Sequence, residues 1–156
     1  MKKAMVITDE PSRQAVIGYI SAMAITEATE VKFKPYEQKR LDVQNALMWV
    51  WNGQWGLALG YTKDEIHDAN KRDLLLPLMM QYPEDYPHAA WVYRLDEQRP
   101  GNWDSFKRMI STTDLSVKHF AEYLTDMEHK AHSQGVQLFS KSDEYALAVY
   151  GARKRA

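Results

Sequence analysis

A chain of 156 residues with 45% hydrophobic side chains is long enough to bury roughly two thirds of its unfolded surface in one domain, and with no cysteine it can hold no disulfide, thiolate metal centre or thiol nucleophile. Its 20 lysines and arginines are balanced by 21 aspartates and glutamates, so a wholly basic nucleic-acid protein is excluded and any such binding must use a local patch. The opening MKKAMVITDEPS has too short an apolar run for a signal peptide, and no run of about eighteen apolar residues occurs anywhere, so a soluble cytoplasmic protein without a membrane partner is expected.

Residues 3–8 (KAMVIT) read as a strand ended by Asp9 and Pro11. Ser12 reads as the cap of a helix over 13–23, with Ala15, Val16, Tyr19, Ile20 and Met23 on its inner face. Residues 29–36 alternate, placing Val31 and Phe33 on one side and Lys32 and Lys34 on the other, and Pro35 confines that strand to an edge or an end. Strand, helix and strand in this order imply a small mixed sheet, followed by several packed helices: an α+β fold in a single domain.

The densest signal is 39–60, KRLDVQNALMWVWNGQWGLALG, which holds Trp49, Trp51 and Trp55. Asp42 can accept from the free N–H groups of a first turn, so a helix starts near Val43, carries Leu47, Val50, Trp51, Gln54, Leu57 and Ala58 inward with Gln44, Met48 and Trp55 on or beside the flank of that stripe, and is closed by Gly60 in a left-handed cap. Lys32, Lys34, Lys39 and Arg40 gather ahead of it. Arg40, Gln44 and Asn45 at a helix N-terminus, beside free amides and the positive end of the dipole, offer a seat for a phosphate or a base edge. The same residues also read as ordinary caps, the cations as a solvated face and the tryptophans as core.

Thr62 and Glu65 form a capping box, with Tyr61 and Ile66 as its staple, for a helix that runs to about Leu76 and is broken or kinked by Pro77. The two helices have helix-turn-helix spacing, although Asp64, Glu65 and Asp68 would then face phosphates. Residues 81–102 are irregular, with Pro83, Pro87 and a Pro100-Gly101 turn; 90–95 (AWVYRL) read as a strand, and Tyr82, Tyr86, Trp91 and Tyr93 either stack bases or cover the edge of the core. The tract 103–110 is ambiguous. Ser116 caps a further helix, with Val117, Phe120, Ala121, Leu124, Met127 and Ala131 on one face, and Gly135 ends it. His129 and His132 are three apart, with His119 or a carboxylate as a conceivable further ligand, but no H-E-x-x-H pattern is present and no metal or other cofactor is assigned. Residues 136–139 read as a short strand and Ser142 or Asp143 as the start of a last helix. The tail Arg153, Lys154, Arg155 holds phosphates loosely or simply suits the end of a helix. There is no Gly-rich phosphate loop, no nucleophile elbow and no carboxylate pair placed together by the sequence, so no catalytic residue is assigned.

The order Arg40, Gln44-Asn45, Trp49, then Ser111-Thr112, Phe120-Ala121-Glu122, Leu124 and Gly135-Val136 resembles the NinB (lambda Orf) family of phage recombination mediators, as does the opening MKK with its strand, helix and strand. The likeness spans nearly the whole chain apart from 62–108, and its specificity lies in the order and spacing of short motifs. It implies a non-catalytic DNA-binding protein of a phage or prophage, often a homodimer, in the cytoplasm of the host bacterial cell. Such a protein binds single-stranded DNA, and duplex DNA as a second ligand, without sequence specificity. It helps load or exchange a recombinase on strands coated by the host single-strand-binding protein. Arg40, Gln44, Asn45 and Trp49 would form a site at the helix start and Ser111 and Thr112 a neighbouring loop; Asp114, where a basic residue would help, departs from this. The alternatives are a metal-dependent nuclease acting on recombination intermediates and a helix-turn-helix regulator.

Overall fold

In the computed structural model, which describes residues 4–35 and 42–151, the chain divides into one unit spanning Met1–Glu37 and a larger one spanning Gln38–Ala156. Both are helical, and no sheet forms among the described residues, which overturns the α+β fold expected from the sequence.

In the smaller unit, α1 (Glu10–Ala22) starts at a capping box: the Asp9 carboxylate accepts from the Ser12 N–H at 2.9 Å and the Ser12 hydroxyl accepts from the Asp9 N–H at 3.1 Å. Asp9 is therefore the cap and Ser12 the third helical residue. Pro11 sits in the first turn, where a missing N–H would have had no partner. The two expected strands fail for want of a ladder. A strand needs a neighbour for its N–H and C=O groups, and neither 4–8 nor 29–35 has one among the described residues. Val31, Lys32, Phe33 and Lys34 are all exposed, as are Ala15, Tyr19 and Ile20 on the expected inner face of α1. Lys3 and Tyr36, the outer ends of those strands, lie outside the described residues.

The larger unit is built on α2 (Asp42–Leu59), whose buried residues are Gln44, Leu47, Met48, Trp51, Asn52, Trp55 and Gly56. The stripe expected to face inward is thus rotated: Leu47 and Trp51 belong to it, whereas Val50, Leu57 and Ala58 face outward. An almost uniformly apolar helix leaves its orientation to its neighbours, and the two tryptophans that find hydrogen-bond partners go inside. The Trp51 Nε1 donates to the Phe139 carbonyl at 3.3 Å and the Trp55 Nε1 to the Gln134 Oε1 at 2.8 Å. Fully burying either ring contributes on the order of 3 kcal/mol.

At the end of α2, Gly60 takes φ +82° and the Tyr61 N–H donates back to the Gly56 carbonyl at 2.8 Å, the left-handed closure expected. The Thr62–Glu65 capping box then starts α3 (Lys63–Asn70) as the sequence indicates. Pro77 does not end the helix. The chain widens into a π-helical segment, Lys71–Leu75, and resumes as α4 (Leu76–Met80) with Pro77 in its first turn, so the missing donor falls where the backbone has already left α-helical register. Lys130 ties this segment to the next long helix, with its Nζ 2.8 Å from the Asp73 carboxylate and 3.2 Å from the Asn70 Oδ1.

Residues 90–95 lie inside α5 (Ala89–Gln98), not in a strand: Ala89, Val92 and Asp96 are buried at helical spacing. After the Pro100-Gly101 turn, in which Gly101 has φ +85°, come α6 (Trp103–Phe106) and two 3-10 turns, Lys107–Met109 and Thr112–Asp114. Ser116 caps α7 (Val117–Ser133), its hydroxyl accepting from the His119 N–H at 3.2 Å, and Gly135 at φ +75° closes it. The strand expected at 136–139 is replaced by a single side chain. Gln54 accepts from the Phe139 N–H at 2.8 Å and donates to the Phe139 carbonyl at 2.9 Å, the two bonds that a neighbouring strand would have made. The described chain finishes with α8 (Ser142–Tyr145) and a π-helical segment, Ala146–Gly151.

Candidate nucleic-acid interface

Gln44, in the first turn of α2, has no solvent exposure, and its Nε2 donates to the Val117 carbonyl at 2.9 Å and to the Ala148 carbonyl at 3.0 Å. These acceptors lie 73 and 104 residues further along the chain. Val117 opens α7 directly behind the Ser111-Thr112 turn, and Ala148 lies in the last described segment, shortly before the basic tail. One amide therefore holds the start of α2, the head of α7 and the C-terminal segment at one place. Both amide hydrogens are used in doing so, which makes Gln44 a tie between segments and not the donor to DNA that its position in the sequence suggests.

The other residues expected at the site are placed as follows. Asn45 is half-buried beside Gln44. Trp49 is half-buried with its ring centroid 4.6 Å from that of His67, packed against the core. The Ser111 Oγ lies 2.8 Å from the Thr113 hydroxyl and accepts from the Thr113 N–H at 3.2 Å, opening a 3-10 turn that buries Thr112. Lys118, next to Val117, is exposed and has no ion pair among the described residues. Lys32 and Lys34 belong to the smaller unit, where Lys32 stands 3.5 Å from Glu30 with both side chains largely in solvent. Lys39, Arg40, Arg153, Lys154 and Arg155 lie outside the described residues.

A cluster not expected as a unit joins the 81–88 loop to α7. The Tyr82 ring stacks on His119 with centroids 3.8 Å apart, and its hydroxyl donates to both Glu122 oxygens, at 2.9 and 2.8 Å. The Tyr86 hydroxyl is 2.7 Å from the His119 Nδ1 and accepts from the Ser116 N–H at 3.4 Å. Donating to the Glu122 carboxylate raises the Tyr82 hydroxyl above the usual tyrosine range. The cluster holds acid and base groups but turns them on one another, so it clamps the loop and the start of α5 to α7. Two tyrosines four apart facing a histidine and a glutamate three apart on one helix are the signal that would have found it. His129 and His132 are exposed, and among the described residues no group of three or more histidines and carboxylates is placed to hold a metal ion.

Asp126, one turn beyond Glu122, has its carboxyl raised above the usual range, first by burial and then by the Glu122 charge. A raised folded-state value means that stability is fully present below the unfolded value and is lost as pH rises through the folded one. Asp126→Asn is therefore expected to be more stable than wild type at neutral pH and equal to it near about pH 3, where the aspartate is protonated in both states. Urea unfolding at the two pH values checks this; an asparagine variant less stable at neutral pH would contradict it.

Among the described residues no helix is long and apolar enough to cross a membrane. Comparison with protein-family models, with curated proteins and with solved structures gives no match.

Proposed function

We propose that the protein is a non-catalytic DNA-binding recombination mediator of the NinB kind, which holds single-stranded DNA, and duplex DNA less well, without reading its sequence. The observation that supports this most is the Gln44 tie. Arg40 precedes Gln44 by four residues and Arg153 follows Ala148 by five, while Lys118 adjoins Val117. Of these cations Lys118 is described and exposed, while Arg40 and Arg153 are near the tie in sequence only. A local concentration of positive charge in a chain of net charge −1 is what phosphate binding needs. The acidic first turn of α3, with Asp64 and Glu65, disfavours a duplex-reading helix-turn-helix. The protein acts as a homodimer that meets a recombinase or the host single-strand-binding protein on the DNA.

Fluorescence anisotropy with labelled single-stranded and duplex oligonucleotides, in the presence of a chelator, tests the reading. Binding of intact single strands, with little difference between sequences, is the result expected. Absence of binding at low salt contradicts it, and oligonucleotide shortened in a parallel tube with magnesium points to a nuclease instead.

A further inference from the structure

We infer that the outer face of α5 is a base-stacking surface for single-stranded nucleic acid, an inference that rests on the DNA-binding reading above. Of the aromatics between 81 and 102, Tyr82 and Tyr86 are taken up by the clamp on His119, whereas Trp91 and Tyr93 remain 54% and 40% exposed. Arg94 follows Trp91 by three residues, which puts both on one side of the helix, and it is exposed with no ion pair among the described residues. Tyr93 lies further round, with the Glu97 carboxylate one turn on raising its hydroxyl above the usual tyrosine range.

The helix beneath is held firmly. Ala89 and Val92 are wholly buried, and the Asp96 carboxylate accepts from the Arg72 Nε at 2.9 Å. The clamp fixes the start of α5 and the Pro100-Gly101 turn follows its end. Stacking pays only on a surface that is already rigid, because ordering a mobile ring would cost conformational entropy.

The chemistry selects nucleic acid over a protein partner. A docking helix needs a continuous apolar stripe, but on α5 the two rings are separated by Arg94, Glu97 and Gln98. What the face offers is isolated aromatic planes with a guanidinium between them. An unstacked base covers such a plane whatever its identity, and Arg94 can stack on the next base or reach the phosphate that joins the two. Arg99, exposed just past the helix, extends the positive side, so the backbone runs along the arginines and the bases turn toward Trp91.

The test is anisotropy of a labelled thymidine oligonucleotide with wild type, Trp91→Ala, Arg94→Ala and Trp91→Phe, each checked by circular dichroism and light scattering. The two alanine variants should keep the fold and the oligomeric state and bind roughly tenfold more weakly, while Trp91→Phe retains most of the affinity. If wild type binds and both alanine variants bind equally well, the α5 assignment is overturned and the DNA-binding reading stands. If wild type itself does not bind, both fall. A changed oligomeric state in Trp91→Ala with unchanged DNA affinity would mean that a second copy of the chain covers this face, and would also overturn the assignment.

Discussion

Gln44→Glu is expected to cost about 3–5 kcal/mol of stability at neutral pH, although it replaces one NH₂ by one oxygen. In the wild-type protein the amide donates to two carbonyls at a site with no solvent exposure. A carboxylate there has no hydrogen to give, and its charge would lie against the negative ends of two C=O dipoles. The energetic escape is protonation, so the folded-state pKa of the introduced glutamate is raised. Its contribution is then least harmful below the ordinary glutamate range and becomes fully destabilising as pH rises through the raised value. Denaturant unfolding should show a variant that recovers much of its deficit on acidification, relative to wild type at the same pH. A variant as stable as wild type at neutral pH would mean that the three segments are not held together by this amide.

Gly56→Ala is expected to destabilise by about 3 kcal/mol, more than any ordinary surface substitution in α2. Glycine is required at this point because the chain reverses directly over it. A Cβ on residue 56 would be driven into the Tyr61 carbonyl oxygen and sit 3.1 Å from the Tyr61 carbonyl carbon and 3.2 Å from that of Thr62. All three are backbone atoms of the α2–α3 turn and cannot rotate away as a side chain would. Relief requires opening the turn, which loosens the 2.8 Å bond between the Tyr61 N–H and the Gly56 carbonyl and shifts α3 off α2. Thermal unfolding reads the effect, and a melting temperature within a degree or so of wild type would contradict it.

Features set within a few residues were legible in the sequence. The Thr62–Glu65 box, the Ser116 cap and the glycines at 60 and 135 work through hydrogen bonds that close inside a single turn, and they stand where they were expected. Features that depend on a partner were not. Residues 4–8, β-branched at their centre, and 29–35, which alternate, read as strands but find no ladder among the described residues, and 90–95 are rich in β-formers yet lie in a helix that buries Val92 and Asp96 at helical spacing. The tryptophan-rich helix was recognisable as a helix, but which side turned inward was decided by packing against α3, α7 and the C-terminal segment. The site divided in the same way. Gln44 and Asn45 could be singled out by residue type at a helix start, but the role of Gln44 is set by carbonyls 73 and 104 residues away, and no local pattern announces those. The tyrosine clamp required two local patterns, 33 to 40 residues apart, to be paired with each other, and nothing within either one announces its partner.

The proposed binding mode has cations that neighbour Gln44, Val117 and Ala148 in the sequence acting on one nucleic-acid strand. Its most direct test is the salt dependence of single-strand binding for wild type and for Arg40→Ala. With about four phosphate contacts the plot of log affinity against log salt should have a slope near −2.8, by the rule of roughly −0.7 per contact, and Arg40→Ala should flatten it to about −2.1. An Arg40→Ala protein that binds with the unaltered wild-type slope, or a wild-type slope indistinguishable from zero, would contradict the account.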